Sequence, residues 1–350
     1  MKNLHEFLFN LCLVLTMITV VICLVILYGI NKTLLLPVKS LSEAASSFVS
    51  EKEKNSTEKV QSAISRLDIH TGDEIEELSD SIKTMEKEIN DYIDHLTEVT
   101  AEKERMGAEL NIAKQIQASM LPCIFPAFPE RKEFDIYASM DPAKEVGGDF
   151  YDFFLVDADH IAMLIADVSG KGVPAALFMV IAKTILKNSA QNGFSPKEVL
   201  ENVNNQLCEN NEAEMFVTVW LGIMQISTGK MHCANAGHEY PAVRRAGGSY
   251  ELFKDRHGFV LAGMEGTRYH EYEIQMEKGD SIFVYTDGVA EATNAENELF
   301  GTDRMLDALN QNPDASCEEL LNNVRKEMDG FVKDAPQFDD ITMLSMLYKG

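Results

Sequence analysis

The chain has 350 residues, which is room for two or three domains of ordinary size and excludes a single small module. Its 56 acidic side chains outnumber its 31 basic ones, and the formal net charge is −25. This excess of negative charge excludes a primary role in binding nucleic acid, whose phosphates must be met by lysine and arginine.

The six cysteines are scattered, and no two of them form a CxxC pair. This spacing is typical neither of a disulfide framework nor of a zinc site, and it indicates a reducing compartment. The cysteines are Cys12, Cys23, Cys123, Cys208, Cys233 and Cys317.

An uncharged apolar segment occupies residues 7–31. At about 1.5 Å per residue, a helix of this length crosses a bilayer of about 30 Å with some tilt. A cleaved signal peptide is the alternative, but its apolar core usually has only about 7 to 15 residues and ends in small ones. We therefore predict a retained, single transmembrane helix. Lys2 on one side, with Lys32 and Lys39 on the other, sets its orientation poorly, and we expect the remainder of the chain in the cytoplasm because its composition suits a reducing compartment.

Residues 32–84 have the pattern of two helices joined by a polar connector. The first is amphipathic, and the second opens with acidic residues, as the helix dipole favours. With Pro37 after the membrane and Asp73, Glu74 and Ile75 at the start of the second helix, the segment resembles a HAMP domain, the two-helix relay of bacterial membrane receptors. A plain coiled linker is the alternative. The apolar positions of the first helix are Val38, Leu41, Ala45 and Phe48.

A heptad series runs through residues 75–120 and is apolar at every position except Lys103 and Gln117. So narrow a stripe cannot be buried by a lone helix, which predicts a parallel homodimeric coiled coil. The two polar positions could either fix the register or mark a weak segment that transmits a signal. The series is Ile75, Leu78, Ile82, Met85, Ile89, Tyr92, Leu96, Val99, Lys103, Met106, Leu110, Ala113, Gln117 and Met120.

The helix is expected to end near Leu121 and Pro122, because LPCIFPAFPE contains three prolines. We place a domain over residues 121–350. Its strand candidates run consecutively from about Phe216 to Thr286, which favours an α+β fold with an antiparallel β-sandwich flanked by helices. The strand candidates are FDIYASM, HIAMLIADV, FVTVWLGIMQI, KMHCANA, SIFVYTD and DDITMLSML, and the helix candidates are residues 174–191, 196–209, 302–310 and 316–331.

Acidic residues beside a glycine or a turn mark the ends of four strand candidates. Taken singly, each is typical of a turn. Taken together, carboxylates gathered at strand ends make a cluster of hard oxygen ligands, which predicts a site for Mg²⁺ or Mn²⁺. They are Asp149 in EVGGDFYDFF, Asp167 in IADVSGKGVPAA, Asp287 in VYTDGVAEA, and Asp339 or Asp340 in QFDDITML.

The order GGDFYD, DVSGKGVPAA, ANAGH, YTDGV and DDIT resembles the SpoIIE/RsbU-type branch of the metal-dependent protein phosphatase family (PPM, protein phosphatase 2C-like), over about residues 107–348. The resemblance implies a protein serine/threonine phosphatase in which a water activated by two divalent cations, Mn²⁺ or Mg²⁺, attacks phosphorus. It also implies a phosphorylated regulator as substrate, of the STAS type that antagonises anti-sigma factors. The implied metal ligands are Asp149, Asp167, the Val168 carbonyl, Asp287 and Asp339, with Asp340 as the second choice.

Two departures limit what the resemblance implies about roles. Eukaryotic relatives often have glycine and histidine after the second aspartate, and here Val168 and Ser169 stand there, so the acid for the leaving group is unassigned. Those relatives bind phosphate with an arginine, for which Lys144 is the nearest basic candidate. We expect a structural role for His238 in ANAGH. A catalytically inactive phosphoprotein-binding module is the alternative to an enzyme, and a nucleotide cyclase or kinase output is a third hypothesis.

Overall fold

A computed structural model describes residues 2–54, 63–209 and 211–350. The chain divides into two compact units, Met1–Gly107 and Ala108–Gly350. This division lies inside a long helix, before the proline-rich segment at which we placed the domain boundary.

The first unit begins with helix α1 (Lys2–Ile30), a π-helical segment (Asn31–Leu35) and helix α2 (Leu36–Lys54). The stretch Phe7–Lys52 is long and apolar enough to cross a membrane, and none of its most apolar window is buried. The uncharged segment that we predicted to span the membrane is therefore helical, and its side chains find no cover within the described chain.

A small apolar cluster follows the span. It joins Ala44 and Phe48 of α2 to Ile64 in the connector, with Leu67 and Ile82 packed against it. Part of the connector lies outside the described residues, and the HAMP assignment stays a prediction.

Helix α3 (Glu74–Met120) runs without a break for 47 residues. Apolar residues of its heptad series are exposed in the single chain, among them Met85, Tyr92 and Leu96. The parallel coiled coil that this stripe led us to expect stays a prediction.

The structure differs from the heptad prediction in the last turns of α3. Leu110 and Ala113 are half-buried and Gln117 is buried, whereas Ile112 and Ile116 are exposed. The positions that we predicted for the coil seam are thus covered here by the second unit, to which these turns belong.

The second unit is a sandwich of two five-stranded antiparallel sheets, in the orders β1-β10-β9-β6-β7 and β2-β3-β4-β5-β8. The strands are β1 (Phe134–Asp141), β2 (Phe150–Leu155), β3 (His160–Val168), β4 (Val217–Gln225), β5 (Lys230–Ala236), β6 (Ala242–Arg244), β7 (Tyr250–Leu252), β8 (Glu271–Gln275), β9 (Ser281–Tyr285) and β10 (Ile341–Tyr348). The helices are α4 (Val173–Gln191), α5 (Pro196–Cys208), α6 (Asp287–Ala290), α7 (Gly301–Gln311) and α8 (Cys317–Val332).

Two cores hold this unit together. The larger lies between the sheets and under α4 and α5, and it includes Trp220 and Leu344. The smaller lies between the first sheet and α7 and α8, and it includes Phe283 and Val324. Strands β3 and β10 are therefore covered on both faces, which is why their sequences are mostly apolar and do not alternate between apolar and polar residues.

The predicted antiparallel sandwich with flanking helices is confirmed. All six predicted strands and all four predicted helices are present within one or two residues, and Ser195 and Ser316 form capping boxes at the starts of α5 and α8. The strands β2, β6, β7 and β8 and the one-turn helix α6 were not predicted.

Candidate functional site

The acidic residues come from four chain segments and meet at one end of the sandwich. Asp149 directly precedes β2, and Asp167 lies near the end of β3; these strands pair, with Phe150 opposite Ala166. In the other sheet, Asp287 follows β9 and Asp339 precedes β10, which also pair. Antiparallel pairing therefore places two carboxylates of each sheet side by side.

Asp149 connects the two sheets. Its side chain is 2% exposed, and its Oδ2 accepts hydrogen bonds from Thr286 Oγ1 at 2.7 Å and Thr342 Oγ1 at 2.6 Å. Thr342 belongs to β10 of the opposite sheet, Thr286 directly follows β9 of the same sheet, and both are buried. Two hydroxyl donors thus orient this carboxylate and compensate part of the cost of burying it.

The carboxylates perturb one another's ionisation. Burial, followed by the charge of Asp167, raises the pKa of Asp149 well above its usual range. Burial, followed by the charge of Asp287, raises the pKa of Asp167 to about 7. Burial, followed by the charge of Asp339, raises the pKa of Asp287 to about 6. These groups are close enough to repel, and a cation is what would relieve that repulsion.

Asp340 and Asp339 are adjacent in sequence but have different surroundings. Asp340 is buried, and its carboxylate accepts from three backbone N–H groups, those of Ala143 at 2.8 Å, Gly148 at 2.8 Å and Asp149 at 3.4 Å. Asp340 therefore holds the loop that carries Asp149.

Asp339 is partly exposed and pairs with the ammonium of Lys171 at 2.9 Å. Lys171 Nζ also donates to the Phe338 carbonyl at 2.7 Å and lies 4.1 Å from the centroid of the Phe338 ring. Lys171 was not among the residues predicted from the sequence, although its position four residues after Asp167 in DVSGKG places it near the site.

Two glycines at the site are required by close approach. A side chain at Gly288 would collide with the Asp340 carbonyl, so the turn after Asp287 can lie against the start of β10 only without a Cβ. A Cβ at Gly148 would lie 2.8 Å from the Val168 carbonyl oxygen. The Val168 carbonyl that we predicted as a ligand therefore lies beside the backbone that leads to Asp149.

The donor set fits hard divalent cations, because it consists of carboxylate and carbonyl oxygens, and because the pKa values of Asp149, Asp167 and Asp287 are raised. Within residues 2–54, 63–209 and 211–350, no group of three or more His, Cys, Asp or Glu side chains is already arranged to hold a metal ion.

Other predicted residues have plainer surroundings. Lys144 is exposed. The Ser169 hydroxyl accepts from the Phe216 N–H at 2.9 Å. His238 is buried with its Nδ1 2.8 Å from Thr218 Oγ1, and burial lowers its pKa to about 3, so the imidazole stays neutral. These surroundings agree with the structural role that we expected, which stays a prediction.

Comparison with known proteins agrees with this fold and these motifs. The family described as Stage II sporulation protein E (SpoIIE) matches residues 157–349. Protein IcfG of Synechocystis is 31% identical over 265 residues, which are 68% of this chain and 41% of that protein. Phosphoserine phosphatase RsbU of Bacillus subtilis is 29% identical over 262 residues, which are 74% of this chain and 75% of RsbU.

Among solved structures, the SiaA-PP2C domain of Pseudomonas aeruginosa matches with a TM-score of 0.61 at 21% identity, over 71% of this chain and 99% of that domain. The family match covers more than half of the chain, and the structural match reaches the same sandwich. The chain therefore belongs to the SpoIIE family, and its second unit has the PPM-type phosphatase fold.

Proposed function

We propose that this chain is a metal-dependent protein serine/threonine phosphatase that hydrolyses phosphoserine or phosphothreonine on a partner protein. The observation that supports the proposal best is the meeting of Asp149, Asp167, Asp287 and Asp339 at one end of the sandwich, where burial and neighbouring carboxylates raise the pKa values of the first three. Similarity to RsbU, which is named a phosphoserine phosphatase, supports the same reaction.

In this proposal the four aspartates and the Val168 carbonyl hold two divalent cations, Mn²⁺ or Mg²⁺. When bound, such ions lower the pKa of a water towards neutrality and neutralise phosphoryl oxygens. Thr286 and Thr342 keep the Asp149 carboxylate directed at the site. We assign Asp339 rather than Asp340 as the ligand, because Asp340 is occupied by three backbone N–H groups.

Two lysines are candidates for binding the substrate phosphate. Lys144 is exposed, and no ion pair involves it in the described chain. Lys171 is already at the site through its ion pair with Asp339. With Asp339 serving as a metal ligand, the Lys171 ammonium would be a point charge available to a phosphate oxygen.

We further infer the setting of the enzyme. Residues 7–31 anchor it in the cell membrane by a single pass, with the HAMP-like and catalytic parts in the cytoplasm. Helix α3 pairs with a second copy to form a homodimer and relays a signal to the catalytic unit. The partner is a phosphorylated regulatory protein, of the STAS type that antagonises anti-sigma factors. The chain spans 41% of IcfG and 75% of RsbU, so all of these whole-protein properties are proposals.

The experiment that tests the activity uses the full chain in detergent micelles, with phosphoserine-containing casein and p-nitrophenyl phosphate as probes. We expect phosphate release only with Mn²⁺ or Mg²⁺, and a loss of at least about 100-fold in Asp149→Asn and Asp287→Asn, because each removes charge from the site. Asp307→Asn, which changes an exposed aspartate of α7, is the matched control and should keep full activity.

Two results would contradict the proposal. One is release at the same rate in chelator. The other is wild-type activity in both site variants. If the folded chain neither binds Mn²⁺ by calorimetry nor releases phosphate, the alternative of an inactive phosphoprotein-binding module replaces the enzyme.

A further inference from the structure

Gln117, in the last turn of α3, has two hydrogen bonds to one residue of the catalytic unit. Its side chain is 7% exposed. Its Nε2 donates to the Gly147 carbonyl at 2.7 Å, and its Oε1 accepts from the Gly147 N–H at 3.1 Å. An amide that uses both of its polar atoms on one backbone residue fixes that residue much as a paired strand would.

Gly147 lies two residues before Asp149, and its other side is packed against Asp340. A side chain at Gly147 would collide with the Asp340 carboxylate, which accepts from the N–H groups of Gly148 and Asp149. The three consecutive N–H groups that lead into Asp149 are therefore all bonded, the first to Gln117 and the next two to Asp340.

A second contact from the end of α3 lies on the other side of Asp149. The Tyr151 hydroxyl donates to the Pro122 carbonyl at 2.8 Å, and Leu121 is buried in the main core. Gln117 in the last turn of α3 thus contacts the chain two residues before Asp149, and Pro122, two residues beyond the helix, contacts it two residues after Asp149. Of these two contacts, only that of Gln117 is made by a side chain of the helix.

We infer that Gln117 is a positioning residue for Asp149, through which the last turn of α3 sets the affinity of the site for divalent cations. This inference rests on the proposed function. A turn of α3 about its axis withdraws the Gln117 amide from Gly147, and the Gly147 carbonyl and N–H then lose their partners in a buried place. The loop relaxes, and the Asp149 carboxylate leaves the geometry that a cation needs.

The test compares full-length Gln117→Met with Gln115→Met. Methionine keeps the length and volume of glutamine but has no amide. Gln115 lies on the same helix and is exposed, so it provides a matched control. We measure Mn²⁺ binding by calorimetry, and p-nitrophenyl phosphate hydrolysis as a function of Mn²⁺ concentration.

We expect the Mn²⁺ dissociation constant and the Mn²⁺ concentration for half-maximal activity to rise about 10- to 100-fold in Gln117→Met. At saturating Mn²⁺ the rate should recover, and Gln115→Met should behave as wild type. If Gln117→Met does not fold, Gln117→Asn keeps an amide one methylene shorter and should show the same shift in smaller degree.

Wild-type Mn²⁺ binding in folded Gln117→Met or Gln117→Asn would overturn the inference. A loss of activity that saturating Mn²⁺ does not recover, with unchanged Mn²⁺ affinity, would overturn it as well. Either result leaves the proposed function standing as long as Asp149→Asn is inactive, because wild-type activity in that variant is what contradicts the phosphatase itself.

Discussion

The two units of the chain bury their apolar side chains in opposite ways. In the second unit the largest apolar residues, such as Trp220 and Phe283, are completely buried. In the first unit, Leu24 of α1 is 60% exposed and Leu96 of α3 is 46% exposed. Leaving this much apolar surface in water is unfavourable. The comparison teaches that the second unit buries its apolar residues within its own chain, whereas α1 and the heptad stripe of α3 leave theirs exposed in the single chain. That exposure is why we proposed a bilayer around α1 and a second helix against α3.

The largest expected effects test whether the catalytic unit is held by its own contacts. Asp339→Ala should reduce phosphatase activity at least about 100-fold with little change in thermal stability, because it removes a proposed ligand from a partly exposed position. Asp340→Ala should reduce activity and should also lower the free energy of unfolding by about 3 kcal/mol or more. Three backbone N–H groups lose a charged acceptor in this variant. Thermal melts and Mn²⁺-dependent hydrolysis measure both. Equal stability loss in the two variants would contradict the division of roles.

The next effect tests the need of α3 for a partner. Leu96→Lys places a charge in the predicted seam and should convert the dimer to monomers, whereas Glu98→Lys, on the same helix and outside the series, should leave it dimeric. Sedimentation of residues 74–350 in water measures this, since that piece lacks the apolar N-terminal segment. A monomeric wild type, or a dimeric Leu96→Lys, would refute the coiled-coil prediction.

A smaller effect comes from pH in the catalytic unit. The folded pKa values of Asp167 and Asp287, about 7 and about 6, lie above the unfolded value of about 3.8. Between these pKa values the folded state therefore binds more protons than the unfolded chain does. Without metal, the free energy of unfolding should fall as pH rises from 4 to 7. Melting in chelator across this range should show the decrease, and added Mn²⁺ should restore more stability at pH 7.5 than at pH 5. If the melting temperature of the metal-free protein rises over the same pH range, the raised pKa values of Asp167 and Asp287 are contradicted.

The smallest expected effect separates the two lysines. Lys171→Met should raise KM for p-nitrophenyl phosphate several-fold at saturating Mn²⁺. The substitution removes the lysine ammonium that lies 2.9 Å from Asp339 and that we propose as a phosphate contact. Lys144→Met should raise KM less, because its ammonium is exposed to solvent and screened. The opposite ranking would restore Lys144 as the main phosphate contact.

Much of the catalytic unit could be predicted because its long strands are sandwiched between layers and read as continuous apolar runs, as in HIAMLIADV. The elements that were missed lack such a signal. Strands β6 and β7 have three residues each, α6 is one turn, and β2 combines a buried apolar run with Asp152, which pairs with Lys183 of α4. A buried charge in a strand is accepted only because a helix from elsewhere in the chain neutralises it.

In the candidate site, too, some residue positions could not be predicted from the sequence. The heptad pattern assigned Gln117 to the coil seam, because spacing reports which face of a helix a residue lies on and not what covers that face. Only the fold brings Gly147 to it. Likewise, Asp339 and Asp340 have equivalent places in a DDIT motif, and only the backbone N–H groups from residues 143–149 distinguish them.

The sequence by itself determined the order of the parts: an uncharged helix of membrane length, a helix with a heptad stripe, and a sandwich with aspartates at its strand ends. These features are periodic or local, so neighbouring residues suffice to specify them. The tertiary structure alone decided which of the two carboxylates binds the backbone of residues 143–149, which lysine lies at the site and how the last turn of α3 contacts the Asp149 loop. Those contacts join residues that are 30 to about 190 positions apart in the chain. Such residues come close in space only when the helix and the two sheets pack together.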